Sequence, residues 1–165
     1  MEKIYRPLVR IEEVTPLLNK ISILGGLDDR QRQAIFKLLK TVTYEQGECI
    51  YKRGEASSYI YIIKQGEVKM MLDQDDVSLE LVSFQEGDCF GETSVIGIQS
   101  HSSSAFAVKP TELIVLEPKV LLSFFETDKD LFGMLILNIA RETARRLHQS
   151  NEALVQRMLT KNKEG

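Results

Sequence analysis

Four stretches between residues 42 and 117 are dense in β-branched and aromatic side chains: YIYIIK (59–64), EVKMML (67–72), VSLELVSF (77–84) and TELIVLE (111–117). Short apolar runs bounded by turn residues predict strands. Five turns between such runs place an acid directly after glycine, at Gly47-Glu48, Gly54-Glu55, Gly66-Glu67, Gly87-Asp88 and Gly91-Glu92. Their irregular spacing argues against a repeat array and for one antiparallel sandwich or barrel that closes on itself.

Helical patterns flank this β region. The first 40 residues read helical, with Thr15 as N-cap ahead of Pro16, and with Asp28 and Gln31 spaced as a capping box for a helix over 29–40. Ala34, Ile35, Leu38 and Leu39 form that helix's expected buried stripe. After Pro118 a short helix over 118–125 is followed by a long one, capped by Asp128 or Asp130 and reaching about Thr160. At 1.5 Å per residue the long helix extends roughly 45 Å, further than a β-domain of this size covers. Leu137, Ala140, Ala144, Leu147, Asn151, Leu154 and Met158 step by three and four along it, a heptad seam that predicts a parallel homodimer. The alternative is a helix lying along its own domain with Asn151 merely exposed.

The expected fold is therefore mainly β with flanking helices: an antiparallel β-roll, jelly-roll-like and closed as a double-stranded barrel, with N-terminal helices and a long C-terminal helix. Its expected divisions are an N-terminal helical segment (1–20), the β-roll with its adjoining helices (21–125) and the dimerisation helix (126–165).

Composition narrows the function classes. The chain has 165 residues, long enough for a substantial core, and 24 acidic against 21 basic side chains, a net charge of −3. A surface built to neutralise nucleic-acid phosphates needs a basic excess, so nucleic acid is not the expected partner. No apolar run approaches the roughly 20 residues of a membrane span, and the N-terminus MEKIYRPLVRIEE lacks a signal peptide's apolar stretch. A cytoplasmic address is expected, with Cys49 and Cys89 as unpaired thiols. The two histidines, His101 and His148, form no ligand spacing with either cysteine, and no nucleophile elbow is present. No metal site and no enzyme are expected.

Residues 90–108, FGETSVIGIQSHSSSAFAV, stand apart: a small-residue stretch with no lysine or arginine. Phe90-Gly91-Glu92 leads into a single helical turn over Thr93, Ser94, Val95 and Ile96, with Gly97 as its C-terminal stop. Free backbone N–H groups at such a turn attract anions, whereas the Glu92 carboxylate suits hydroxyl donors such as those of ribose. Ser102, Ser103 and Ser104 add hydroxyls from the strand that follows. The plain alternative is a glycine turn with a solvated glutamate.

From Ile21 to about Asn151 the chain resembles the cyclic-nucleotide-binding domain family, the ligand domains of catabolite-activator-type regulators, protein kinase A regulatory subunits and cyclic-nucleotide-gated channels. The resemblance rests on Leu24-Gly25-Gly26-Leu27-Asp28, Tyr44-Glu45-Gln46-Gly47-Glu48, Gly54-Glu55, Tyr61 to Val68, Gly87 to Glu92, Leu113 to Leu116 and Ala144-Arg145-Arg146-Leu147. It implies that residues 90–107 form a phosphate-binding cassette and that Gly91 and Glu92 hold ribose. Thr93 and Ser94 then belong to the phosphate-binding turn, His101, Ser102 and Ser103 flank the phosphate, and Ser150 and Asn151 face the base, within one chain or across the dimer. It also implies cyclic AMP or cyclic GMP as ligand and an unidentified protein effector. Two departures stand out. The family's phosphate-binding arginine is replaced by His101 or Ser102, and the chain ends at Gly165 with no DNA-reading segment. The implied function is a non-catalytic sensor that moves its long helix on binding; the alternative is a ligand-free dimerisation or protein-interaction module.

Overall fold

A computed structural model describes residues 3–161 of the chain, apart from Val9, Ile11, Glu13, Asp75 and Asp76. The β region supplies nine strands among the described residues: β1 (Arg6–Pro7), β2 (Lys40–Tyr44), β3 (Cys49–Tyr51), β4 (Ile60–Gln65), β5 (Glu67–Gln74), β6 (Val77–Gln85), β7 (Cys89–Phe90), β8 (Ser104–Ala107) and β9 (Thr111–Leu116). They form two antiparallel sheets, β1-β2-β9-β4-β7 and β3-β8-β5-β6. The β-roll is as expected, but the strands do not close into one barrel. Each sheet keeps its own edges, and the two are joined by a shared core.

The alternation of side chains along β4 and β9 explains that arrangement. Tyr61, Ile63, Leu113 and Val115 point into a core between the sheets, with Val68, Met70, Phe90 and Ala105. Ile60, Ile62, Ile114 and Leu116 point the other way, into a second core under the helices. A strand buried on both faces reads as a continuous apolar run, which is why YIYIIK lacks polar alternation.

The helices are α1 (Asp29–Phe36), α2 (Glu92–Gly97), α3 (Pro118–Thr127) and α4 (Lys129–Lys161). The capping box at α1 is present: the Asp28 carboxylate accepts from Gln31 N–H at 2.7 Å, and the Gln31 side chain accepts from Asp28 N–H at 3.1 Å. The helix stops at Phe36 because Lys40 must pair with Val115 in the sheet, and Leu38 turns outward, 43% exposed. Thr15 is not an N-cap. Thr15–Leu17 is a single 3-10 turn preceded by Val14 with no side-chain cap, and Ser22–Leu24 is another, so the N-terminal region is less helical than expected. Asp128, not Asp130, caps α4 by accepting from Leu131 N–H at 3.1 Å.

α4 is anchored by one face and free on the other. Leu131, Leu135 and Ile139 enter the second core, and buried Asn138 donates to the carbonyls of Ile23 (3.3 Å) and Gly25 (2.8 Å). The seam positions Leu137, Ala140, Ala144, Leu147, Asn151, Leu154 and Met158 are all exposed, and from Leu147 to Thr160 the helix is exposed on every side. Among the described residues no helix is long and apolar enough to cross a membrane.

Candidate functional site

β7 and the turn after it set up a cleft. Phe90 and Cys89 pair with Tyr61 and Ile62 of β4, and Gly91 then turns left-handed at φ 81°. A β-carbon at Gly91 would stand 2.9 Å from the Tyr59 carbonyl oxygen, so both the turn and its packing demand glycine. This reversal directs Glu92, the first residue of α2, inward, where it is 1% exposed. The α2 turn ends on Ile98, not Gly97: Ile98 adopts the left-handed conformation (φ 50°) and is 93% exposed.

The other wall comes from the α2–β8 loop. The backbone of His101 is fixed on both sides by the Gly54 turn. Gly54 N–H donates to the His101 carbonyl at 2.8 Å, and His101 N–H donates to the Glu55 carbonyl at 2.9 Å. The imidazole lies flat on Tyr51, ring centroids 3.6 Å apart and 7° from parallel, and is 3% exposed. Seven of the residues expected at a site, Gly91, Glu92, Thr93, Ser94, His101, Ser102 and Ser103, line one cleft of about 180 Å³ together with Tyr51, Met70, Phe84, Phe90 and Arg146. Within one chain Ser150 and Asn151 are not brought to it. They lie further along α4 on its exposed stretch, and Arg146 is the residue by which α4 reaches the cleft.

Arg146 is heavily engaged. Its Nη1 donates to Glu92 Oε1 at 2.9 Å, its Nε lies 2.9 Å from Glu142 Oε1, and its Nη2 donates to the Cys89 carbonyl. Its guanidinium carbon sits 4.6 Å from the Phe84 ring centroid, a cation–π arrangement. Glu142 is itself buried and also takes Arg145 Nη2 at 2.5 Å. The pattern that could have exposed Arg146 is the inner face of α4: Leu131, Leu135, Asn138, Ile139, Glu142 and Arg146 recur at helical spacing, with Glu142 and Arg146 one turn apart. Tyr51 and Phe84 carried no such signal, because their roles arise from contacts distant in sequence.

Burial shapes the titrations. It raises the Glu92 carboxyl above its ordinary value, with the Arg146 charge opposing, and pushes the Cys89 thiol up to about 12, an inert thiol. Burial likewise raises Glu142, but Arg145 and Arg146 outweigh it and hold that carboxyl low. His101 is lowered by burial, with Glu55 opposing. A histidine lowered in the folded state contributes stability that is full above its unfolded pKa of about 6.5 and is lost as pH falls through the folded value. The melting temperature is therefore expected to fall between pH 7.5 and 5.5, and to fall less in His101→Gln. An equal drop in both proteins would contradict a neutral, buried His101.

Two polar atoms of residues that line this cleft, Glu92 Oε2 and His101 Nε2, are buried without a hydrogen-bond partner. Buried polar groups are nearly always paired, and such orphans point to a ligand or an ordered solvent molecule. Among the described residues no cluster of histidine, cysteine, aspartate and glutamate could hold a metal ion. Both cysteines are free thiols.

This geometry coincides with sequence kinship. Residues 41–128, just over half the chain, match the profile of the Cyclic nucleotide-binding domain. The chain belongs to that family. The domain is 34% identical over 137 residues to the cAMP-dependent protein kinase regulatory subunit of Schizosaccharomyces pombe, covering 83% of this chain and 29% of that protein. It is 32% identical over 91 residues to the cAMP-dependent protein kinase type II regulatory subunit of Drosophila melanogaster, covering 55% of this chain and 24% of that protein. The chain thus spans under a third of the length of these relatives. A cyclic nucleotide-binding domain from Methylobacillus flagellatus superposes with a TM-score of 0.82 at 18% identity, covering 94% of this chain and 88% of that one. The regulatory domain of Toxoplasma gondii PKA, solved with cAMP, gives 0.67 at 24% identity, covering 81% and 49%. At these identities the two structures establish a shared fold.

Proposed function

We propose that this domain is a non-catalytic regulatory module in which a ribose-bearing ligand occupies the cleft and α4 reads out its presence. The observation that carries the reading is the Glu92–Arg146 pair. The carboxylate suited to ribose hydroxyls is held, through one oxygen, by a side chain of the long helix. A ligand donating to Glu92 competes with or reorganises Arg146, and α4 shifts in response. The kinship to regulatory subunits named for cAMP supports a regulatory role, and the unpaired thiols suit a cytoplasmic setting.

Glu92→Ala tests the ribose contact. It is expected to weaken binding of a ribosyl ligand by about 1.5–3 kcal/mol, the worth of a hydrogen bond to a charged group. Titration calorimetry with cyclic AMP, cyclic GMP and their parent nucleosides, each against its 2′-deoxy form, reads this directly. Wild-type binding that ignores the 2′-hydroxyl contradicts it.

The output runs through α4 and a second copy of the chain. The exposed seam, with Leu147 62%, Leu154 57% and Met158 61% exposed, suits a parallel coiled coil, and an effector protein would bind the assembled helices. Leu147→Asp sets like charges facing each other in that seam and is expected to yield monomer by sedimentation equilibrium. A wild-type chain that sediments as monomer at tens of micromolar, where an interface of micromolar Kd would be formed, contradicts the dimer. The same seam favours the second reading, a ligand-free interaction module in which Arg146 permanently holds Glu92 through one oxygen.

A further inference from the structure

We infer that the cleft takes an uncharged ligand bearing a vicinal diol, an unphosphorylated nucleoside, in preference to a cyclic nucleotide. This rests on the reading of Glu92 as the acceptor for ribose, and extends it to the ligand's charge and size.

Charge comes first. Among the described residues lining the cleft, Arg146 alone carries a permanent positive charge. It is matched by two buried carboxylates, Glu92 and Glu142, the second of which also holds Arg145. His101 is buried against Tyr51 and adds no charge at neutral pH. Glu55, the other charged group acting on that ring, is acidic. A phosphodiester anion placed here would meet a carboxylate and find no unmatched cation, whereas a neutral molecule carries no such penalty.

The two orphaned atoms define what the ligand must offer. Glu92 Oε2 asks for a donor, and His101 Nε2 accepts or donates according to its tautomer. A pair of hydroxyls matches both chemically, because each can donate to a carboxylate and can accept from or donate to an imidazole. A nucleoside presents both its 2′- and 3′-hydroxyls. In a 3′,5′-cyclic nucleotide the 3′-oxygen is esterified, so a single ribose hydroxyl remains for two orphaned atoms.

Size agrees. The cleft of about 180 Å³ is small against the roughly 300–1,000 Å³ of ordinary small-molecule pockets, which fits a sugar held deep with its base toward the opening.

The test is calorimetric titration of the wild-type chain at pH 7.5 with adenosine, guanosine, cytidine and uridine. Cyclic AMP, cyclic GMP and the 2′-deoxy and 3′-deoxy forms of any nucleoside that binds complete the set. At least one nucleoside is expected to bind ten-fold or more tightly than its own 3′,5′-cyclic monophosphate and to weaken at least ten-fold on loss of either hydroxyl. A cyclic nucleotide that binds as tightly as its parent nucleoside overturns the inference. If that binding still depends on the 2′-hydroxyl, the ribose-on-Glu92 reading survives. No heat from any of these compounds at millimolar concentration overturns both.

Discussion

Replacing Arg146 with methionine is expected to destabilise the domain by about 3 kcal/mol at neutral pH, because it strips a buried carboxylate of its charged partner while roughly preserving side-chain volume. Glu92 is 1% exposed and its only paired oxygen is held by Arg146; Glu142 keeps Arg145 but loses its second cation. The pH dependence has a definite sign. A carboxyl whose folded pKa is raised contributes stability that is full below its unfolded value and is lost as pH rises through the folded one. Burial already raises Glu92, and without the Arg146 charge it must rise further. The deficit of Arg146→Met relative to wild type should therefore shrink toward pH 4.5 and be widest above pH 7, as read by urea unfolding at both ends. Adding Glu92→Gln to Arg146→Met should recover much of the loss. A single variant as stable as wild type at pH 7.5 would show that the ion network contributes nothing to the folded state.

The second large effect is a gain. Ser102→Arg is expected to raise affinity for cyclic AMP or cyclic GMP at least ten-fold, since a guanidinium supplies the charge-assisted phosphate contact that serine cannot. The sequence left the position open between His101 and Ser102; the two environments favour Ser102 as the place for a cation. Ser102 is exposed and lines the cleft, whereas His101 is 3% exposed and stacked on Tyr51. His101→Arg would bury an unpaired charge and break the stack, so it is expected to lower stability rather than gain a ligand. The Ser102→Arg gain should fade with added salt and be smaller for Ser102→Lys, which lacks the planar fork. Unchanged affinity for both cyclic nucleotides would mean that something other than charge excludes phosphate.

What was legible in the chain follows from how local each signal is. The strands between 59 and 117 and the capping box at Asp28 depend on residues a few positions apart, and the structure has both. The turns at Gly47, Gly54, Gly66, Gly87 and Gly91 were legible for the same reason, and each of these glycines has a positive φ; Gly26, also left-handed, was not read as a turn. Gly97 misled because a glycine near a helix end resembles a stop, while the backbone instead places Ile98 there, with Ile98 N–H reaching the Val95 carbonyl. Leu38 misled because helical periodicity was extended past the point where pairing with β9 takes the chain over. The seam of α4 was readable as an apolar stripe. The opposite face was not, because Asn138, Glu142 and Arg146 look like solvent-facing residues until Ile23, Gly25 and Glu92 are brought to them across more than fifty residues of chain. The site was legible where its residues are contiguous, from Gly91 to Ser103. Where α4 contributes, the helical spacing of Leu131, Leu135, Asn138, Ile139, Glu142 and Arg146 held the signal, but nothing local ties Arg146 to Glu92, and within one chain Arg146, not Ser150 or Asn151, lines the cleft.

The most direct test of the account is amide hydrogen exchange along α4, recorded with and without saturating adenosine, guanosine, cyclic AMP or cyclic GMP. The account predicts that at least one of these ribosyl compounds changes exchange in the turns around Glu142 and Arg146, and that the change disappears in Glu92→Gln. Ligand binding that leaves α4 exchange unaltered, or the absence of any response to all four, would contradict a pocket read out by the long helix.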